Sequence, residues 1–214
     1  MLHSDKYIQA LINEQPFFEI HQENVLGVKM DVFKNRPKSL VDFIESSAAH
    51  GDKPYLIFKD QVITFNQHLI IVKKAAHILQ TKYEVQQGDR VAIYAANSPE
   101  WIIFFWATVS LGAIACGLNG WWKGSEAIKA INDADPKVVV VDQARFERID
   151  ESLEHPVMIF EQHDLSGHEQ ALDSFIRVDE DECACLLYTS GTTGTPKGVM
   201  TSHRSMIANS TLQM

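Results

Sequence analysis

The run at residues 137–141, KVVVV, places the tightest limit on the fold. A strand with one wet face alternates apolar and polar residues; this run does not, so both of its faces need cover. Its length, its β-branched residues and the adjacent Pro136 favour a strand over a helix segment. Strands of this kind sit in parallel sheets with helices on both faces. The flanking sequence repeats the unit. Residues 90–95 (RVAIYA) read as a strand after the Gly88-Asp89 turn. Ser98-Pro99-Glu100 opens a helix, with serine as cap and proline at the first helical position. The following WIIFFWATVSL is apolar nearly all round, which suits a buried helix, and Gly112 ends it. Residues 113–118 form the next strand, and Ser125 caps a helix over 126–134. After the 137–141 strand come a helix near 143–153 and a fourth strand at 156–160. Strand alternating with helix implies right-handed crossovers and a doubly wound core over about residues 89–160.

The flanks are less regular. A short helix is expected from Asp5 to about Glu14, broken by Pro16, and residues up to Pro37 read as irregular. A helix over 38–50 would bury Leu40, Val41, Phe43 and Ile44 and stop at Gly51. Residues 54–65 (PYLIFKDQVITF) carry a hairpin pattern around Lys59-Asp60-Gln61. Asn66 would cap a helix to about Thr81, with Leu69, Val72, Ala76 and Leu79 as its stripe. Residues 161–182 are polar and acidic and read as a connector; Asp179 to Glu182 reads as a solvated turn, with a magnesium role as the alternative. Three parts result: 1–65, helices and a hairpin packing on the core; 66–178, the α/β body; 179–214, a ribbon and the start of a second, truncated unit.

That ribbon carries the densest chemical signal, YTSGTTGTPKGV at residues 188–199, with three glycines, four threonines, one serine and one lysine. Glycine permits close backbone approach, hydroxyls add donors without bulk, and turned-in amides make a nest for an anion. Lys197 adds a point charge suited to phosphate. The Walker pattern does not fit, because Gly198 rather than Ser or Thr follows the lysine. Apolar runs flank the segment on both sides (CACLLYT and GVMT), so the loop should join two extended strands and not open a helix. It should be mobile without ligand.

The twelve-residue segment, followed by Ser202-His203-Arg204, resembles the signature of the adenylate-forming superfamily, which includes acyl-CoA synthetases, luciferases and adenylation domains. GDRVAIYAANSPEW, LGAIACGLN and KVVVVD resemble the N-terminal domain of acyl-CoA synthetases, so the likeness covers most of the chain from about Leu40 onward. It implies an α/β fold: a doubly wound, mostly parallel sheet flanked by helices, plus an antiparallel ribbon carrying the phosphate loop. It implies an ATP-dependent acid–thiol ligase that activates a carboxylic acid, a fatty acid foremost, as acyl-adenylate and passes it to coenzyme A. ATP, Mg2+ and coenzyme A are the implied cofactors. Thr189, Ser190, Gly191, Thr192, Thr193, Gly194, Thr195, Pro196, Lys197 and Gly198 are the implied nucleotide-binding residues. No catalytic or metal-ligating residue is assigned. The family's Tyr-Gly-x-Thr-Glu segment is missing here, so the likeness implies an N-terminal piece, inactive alone and prone to self-association through exposed strand edges. A non-catalytic phosphate-binding or interaction module with the same fold is the alternative.

The remaining features exclude more than they suggest. A net charge of −9 disfavours a nucleic-acid partner. The odd count and wide spacing of Cys116, Cys183 and Cys185 do not suggest a disulfide framework. The apolar stretch at 101–109 is too short to cross a membrane and no signal peptide is visible, which points to a cytoplasmic protein. Trp121 and Trp122 read as packing residues in preference to a ligand platform, and His77, His155 and His163 as surface residues. His203, with Ser202, reads as a helix start.

Overall fold

The computed structural model describes residues 4–149, 153–165, 170–189 and 197–212. Its body is a six-stranded sheet in the order β10-β9-β6-β5-β7-β8. Here β5 is Arg90–Tyr94, β6 Ile114–Gly117, β7 Val138–Val141, β8 Val157–Ile159, β9 Cys183–Thr189 and β10 Lys197–Ser202. All neighbours run parallel except β10, which is antiparallel to β9. Helices α3 (Phe65–Lys82) and α4 (Pro99–Ser110) cover one face. Helix α5 (Gly124–Ala134) covers the other. The two periods mesh: Val91, Ile93, Val138 and Val140 join the α3–α4 side, while Ala92, Tyr94, Val139 and Val141 join the α5 side. All four residues of β7 are at 0% exposure, as the unalternating run requires.

The expected caps explain most helix starts. Ser98 accepts a hydrogen bond from the Trp101 amide, with Pro99 as the first helical residue. Gly112 takes φ +66° where the chain leaves α4. Helix α1 is Ser4–Glu14; α2 (Leu40–Ser46) begins at a Ser39–Asp42 capping box and continues as a 3-10 turn to His50. Two starts differ. Helix α3 is capped by Thr64, with Gln67 reaching back, and Asn66 lies inside it. Helix α5 begins at Gly124, ahead of Ser125; a Cβ at Gly124 would stand 1.7 Å from the Arg148 carbonyl oxygen. Helix α6 is only Gln143–Phe146, shorter than expected.

Three larger corrections concern the flanks. The stretch read as irregular holds a hairpin, β1 (Ile20–Val25) with β2 (Val28–Phe33). Its turn, Leu26-Gly27, puts both residues at positive φ (49° and 88°), the twist a two-residue hairpin needs. Second, the 161–182 connector is packed. Phe175 is buried, and the Ile176 amide donates to the Ser110 carbonyl at 2.8 Å. Third, the acidic run is not a solvated turn, since Glu180 and Asp181 are engaged by Arg36 and Arg204. The other hairpin, β3 (Pro54–Phe58) with β4 (Gln61–Thr64), lies where its pattern predicts. The β9–β10 ribbon is part of the sheet, because β9 also pairs with β6 from Ala115↔Cys185 to Gly117↔Leu187. Among the described helices, none is long and apolar enough to cross a membrane.

Candidate functional site

The carboxyl ends of β5, β6 and β9 open on one cleft of about 560 Å³. In open α/β sheets this edge, near the point where successive strands diverge to opposite sides, is where ligands sit. Here β6 lies on one side of β5 and β7 on the other. Ala95, Ala96 and Asn97 line the cleft from the end of β5. Asn119, Gly120 and Trp121 line it beyond β6, and Leu187 and Tyr188 from β9.

One ion pair holds these loops in place. Asp142, at the end of β7, caps α6 by accepting from the Arg145 amide at 2.7 Å. Its other oxygen accepts from the Ala96 amide at 2.8 Å and from Arg145 Nη1 at 3.1 Å. Arg145 Nε in turn donates to the Gly120 carbonyl at 2.9 Å. Asp142 and Arg145 thus tie the loops after β5, β6 and β7 together. Gly120 fits only without a side chain, since a Cβ would lie 2.5 Å from the Ala95 carbonyl oxygen. Sequence reading passed over this pair. The available signal was position: an aspartate at the carboxyl end of a buried strand, directly before a helix.

The two tryptophans separate. Trp122 is half-buried and meets the Tyr188 ring at 6.4 Å, edge to face. Trp121 is 86% exposed on the rim of the cleft, which corrects its reading as a packing residue. Among the described residues the cleft offers backbone groups, the amides of Asn97 and Asn119, the Arg145 side chain and aromatic faces, which suits binding.

The glycine-rich segment starts beside this cleft. Thr189 and Lys197 are cross-strand partners, and Gly198 faces Tyr188. Lys197 is the first residue of a strand and does not open a helix, in line with the pattern around it. Lys197 and Gly198 are exposed. Ser190, Gly191, Thr192, Thr193, Gly194, Thr195 and Pro196 lie outside the described residues, as does the expected mobility of the loop. Tyr188 donates to Asp133 Oδ2 at 2.8 Å, and burial followed by that carboxylate pushes its pKa up. Past the ribbon, Ser202 caps α7 (His203–Thr211). His203 is buried; its Nδ1 accepts from the Leu40 amide at 3.2 Å, and burial lowers its pKa. It is a structural joint between α7 and α2.

Comparison with known proteins agrees with this geometry. Residues 43–214 match the model of a family described as AMP-binding enzyme. 4-Coumarate–CoA ligase 2 of Petroselinum crispum is 27% identical over 179 residues, covering 77% of this chain and 32% of that protein. 2-Succinylbenzoate–CoA ligase of Bacillus velezensis is 32% identical over 163 residues, covering 74% and 33%. The solved structure of O-succinylbenzoate coenzyme A synthetase from Bacillus subtilis, in complex with AMP, superposes with a TM-score of 0.64 at 25% identity, covering 75% of this chain and 42% of that one. The chain spans about a third of the length of the curated relatives it matches. The chain belongs to the AMP-binding enzymes of the adenylate-forming superfamily.

Proposed function

We propose that the protein is an ATP-dependent acid–thiol ligase that forms an acyl-adenylate and passes the acyl group to coenzyme A. The observation that carries this is the placement of Thr189 and Lys197 as neighbours at the carboxyl edge of the sheet, beside the cleft. In this reading residues 179–214 carry the phosphate loop, residues 66–178 form the body that aims it, and residues 1–65 brace both. The chemical difficulty is that an anionic carboxylate attacks a polyanion, so the site must screen charge and hold the phosphates in line. Thr189, Ser190, Thr192, Thr193 and Thr195 supply hydroxyl donors. Gly191, Gly194 and Gly198 would admit the backbone to the phosphates. Lys197 supplies the positive charge. Magnesium would arrive with the triphosphate. Among the described residues no cluster of three or more His, Cys, Asp or Glu is placed to hold a metal.

The acid is better read as aromatic than as fatty. The relatives are named for coumarate, hydroxybenzoate and succinylbenzoate, and the cleft wall includes Trp101, Trp121 and Tyr188. A reducing, cytoplasmic setting suits three free thiols, Cys116, Cys183 and Cys185. The test is acid-dependent exchange of labelled pyrophosphate into ATP by the full-length protein. The panel is 4-coumarate, 4-hydroxybenzoate, 2-succinylbenzoate and a long-chain fatty acid. Exchange with an aromatic acid supports the reading. ATP binding without exchange for any acid favours the non-catalytic module, and exchange confined to the fatty acid reverses the substrate class.

A further inference from the structure

We infer that Arg204 is a positioning residue for Lys197: it latches the chain entering β9 to the chain leaving β10 and so fixes the register of the β9–β10 ribbon. The consequence for ATP rests on the function proposed above; the latch itself rests on geometry alone.

Strand β10 needs such a device. Among the described residues it pairs with β9 only, and Lys197, Gly198, Val199 and Met200 are all exposed. Register is weakly specified where neither face of a strand is buried, and a slip of one residue turns every side chain to the opposite face. The pairing also holds an irregularity: Thr201 faces Cys185 while Ser202 faces Cys183. A slip would carry Lys197 to the wrong side of the ribbon.

The base of the ribbon resists that slip. The His203 amide donates to the Glu182 carbonyl at 3.1 Å, and the Arg204 amide to the Glu180 carbonyl at 2.7 Å. The Arg204 guanidinium forks onto Asp181, with Nε at 2.5 Å and Nη2 at 3.1 Å. It also lies 2.9 Å from Glu180 and donates to Glu23 at 3.0 Å. Glu180 is gripped a second time by Arg36, through Nε at 2.8 Å and Nη2 at 2.7 Å. The Arg36 side chain is 1% exposed. Arg36 also donates to the Phe33 carbonyl at 2.6 Å and to Glu23 at 2.7 Å, which anchors the whole to the β1–β2 hairpin. The hydrogen bond from Arg204 keeps the Asp181 carboxyl below its usual range, and Arg36 and then Arg204 hold Glu23 at about 2. The chain entering β9 and the chain leaving β10 are therefore one ionic unit.

A register latch predicts a specific kinetic split. If only a fraction of molecules holds Lys197 correctly, apparent affinity falls by that fraction, while saturating ATP selects the competent form and restores the rate. A residue that served folding alone would reduce the number of active molecules, lowering Vmax at constant KM. In the full-length protein, Arg204→Gln and, from the other partner, Asp181→Asn should each raise KM for ATP roughly fivefold with kcat nearly unchanged. Both should speed hydrogen exchange of the β10 amides bonded to β9. Arg204→Lys should recover part of each effect, since it keeps the charge and loses the fork. Lys34→Gln, which breaks only the Lys34–Glu19 pair on the same hairpin, should change neither. Unchanged exchange, faster exchange without a rise in KM, or a fall in Vmax at constant KM would each overturn the inference. If the wild-type protein shows no ATP-dependent reaction, the proposed function fails, and exchange in β10 alone decides the latch.

Discussion

Val138–Val141 in β7 and Val199-Met200 in β10 are both short apolar runs in the same sheet, but their surroundings are opposite. Strand β7 has a partner on each side and helices on each face, and its valines are at 0% exposure. Strand β10 has one described partner, and Val199 and Met200 are 50% and 72% exposed. Apolar composition marks both as strands, but only the unbroken run of four valines carries information on cover; the Val-Met pair is too short to do so. The covered strands store stability. The margin carries the residues proposed to meet ATP, where access and adjustability matter more than burial.

The widest separation should come from truncating one side chain in each region. Ile93→Ala in β5, fully buried, should cost about 2–5 kcal/mol in chemical denaturation. Met200→Ala should stay within about 0.5 kcal/mol. Equal losses would erase the distinction. Function should invert the order. Lys197→Ala is expected to lower kcat/KM for adenylation by about 2.7–4 kcal/mol of transition-state stabilisation, on the order of 10²–10³ in rate. Its thermal midpoint should match wild type, because Lys197 is exposed. An unaltered pyrophosphate exchange rate would remove Lys197 from the site.

Acid should strike the covered region first. His68 in α3 is 1% exposed, and burial holds its pKa down to about 4. Between that value and the ordinary 6.5, the unfolded chain binds the proton and the folded chain does not. Stability is thus full above about pH 6.5 and declines as pH falls toward 4, by on the order of 3 kcal/mol. His68→Leu should flatten urea midpoints across that interval; a wild-type slope in the variant would place the titration elsewhere. The smallest effect concerns the margin. The protein should associate with concentration through the edge of β10, which has one partner among the described strands. Met200→Lys should reduce light scattering, as charges on edge strands do. Scattering unchanged by the charge would point to another surface.

The body of the fold was legible because punctuation and periodicity agree there. Ser98-Pro99, Gly112 and Pro136 stand at element ends, and the valine run fixes a two-faced sheet. The β1–β2 hairpin was not, because Leu26 occupies a positive-φ turn position where Asn or Asp would have signalled it. Asn66 looked like a cap, but Thr64 had the partner, Gln67, three residues on. The charges at 179–182 read as solvated because their partners, Arg36 and Arg204, are distant in sequence on one side and follow the ribbon on the other. Lys197 and Gly198, proposed as site residues, carry a motif; Asp142 and Arg145 have none, only a place at the end of a strand.

The exposure of Trp121 gives the molecule an optical property. The chain has four tryptophans. Trp101, Trp106 and Trp122 are partly shielded, and Trp121 stands in water on the rim of the cleft. Indole emission shifts to the blue when water leaves the ring, so the red edge of the protein's fluorescence belongs mainly to Trp121. A molecule settling into the cleft would dim that edge, and the natural chain would report its own occupancy without a dye.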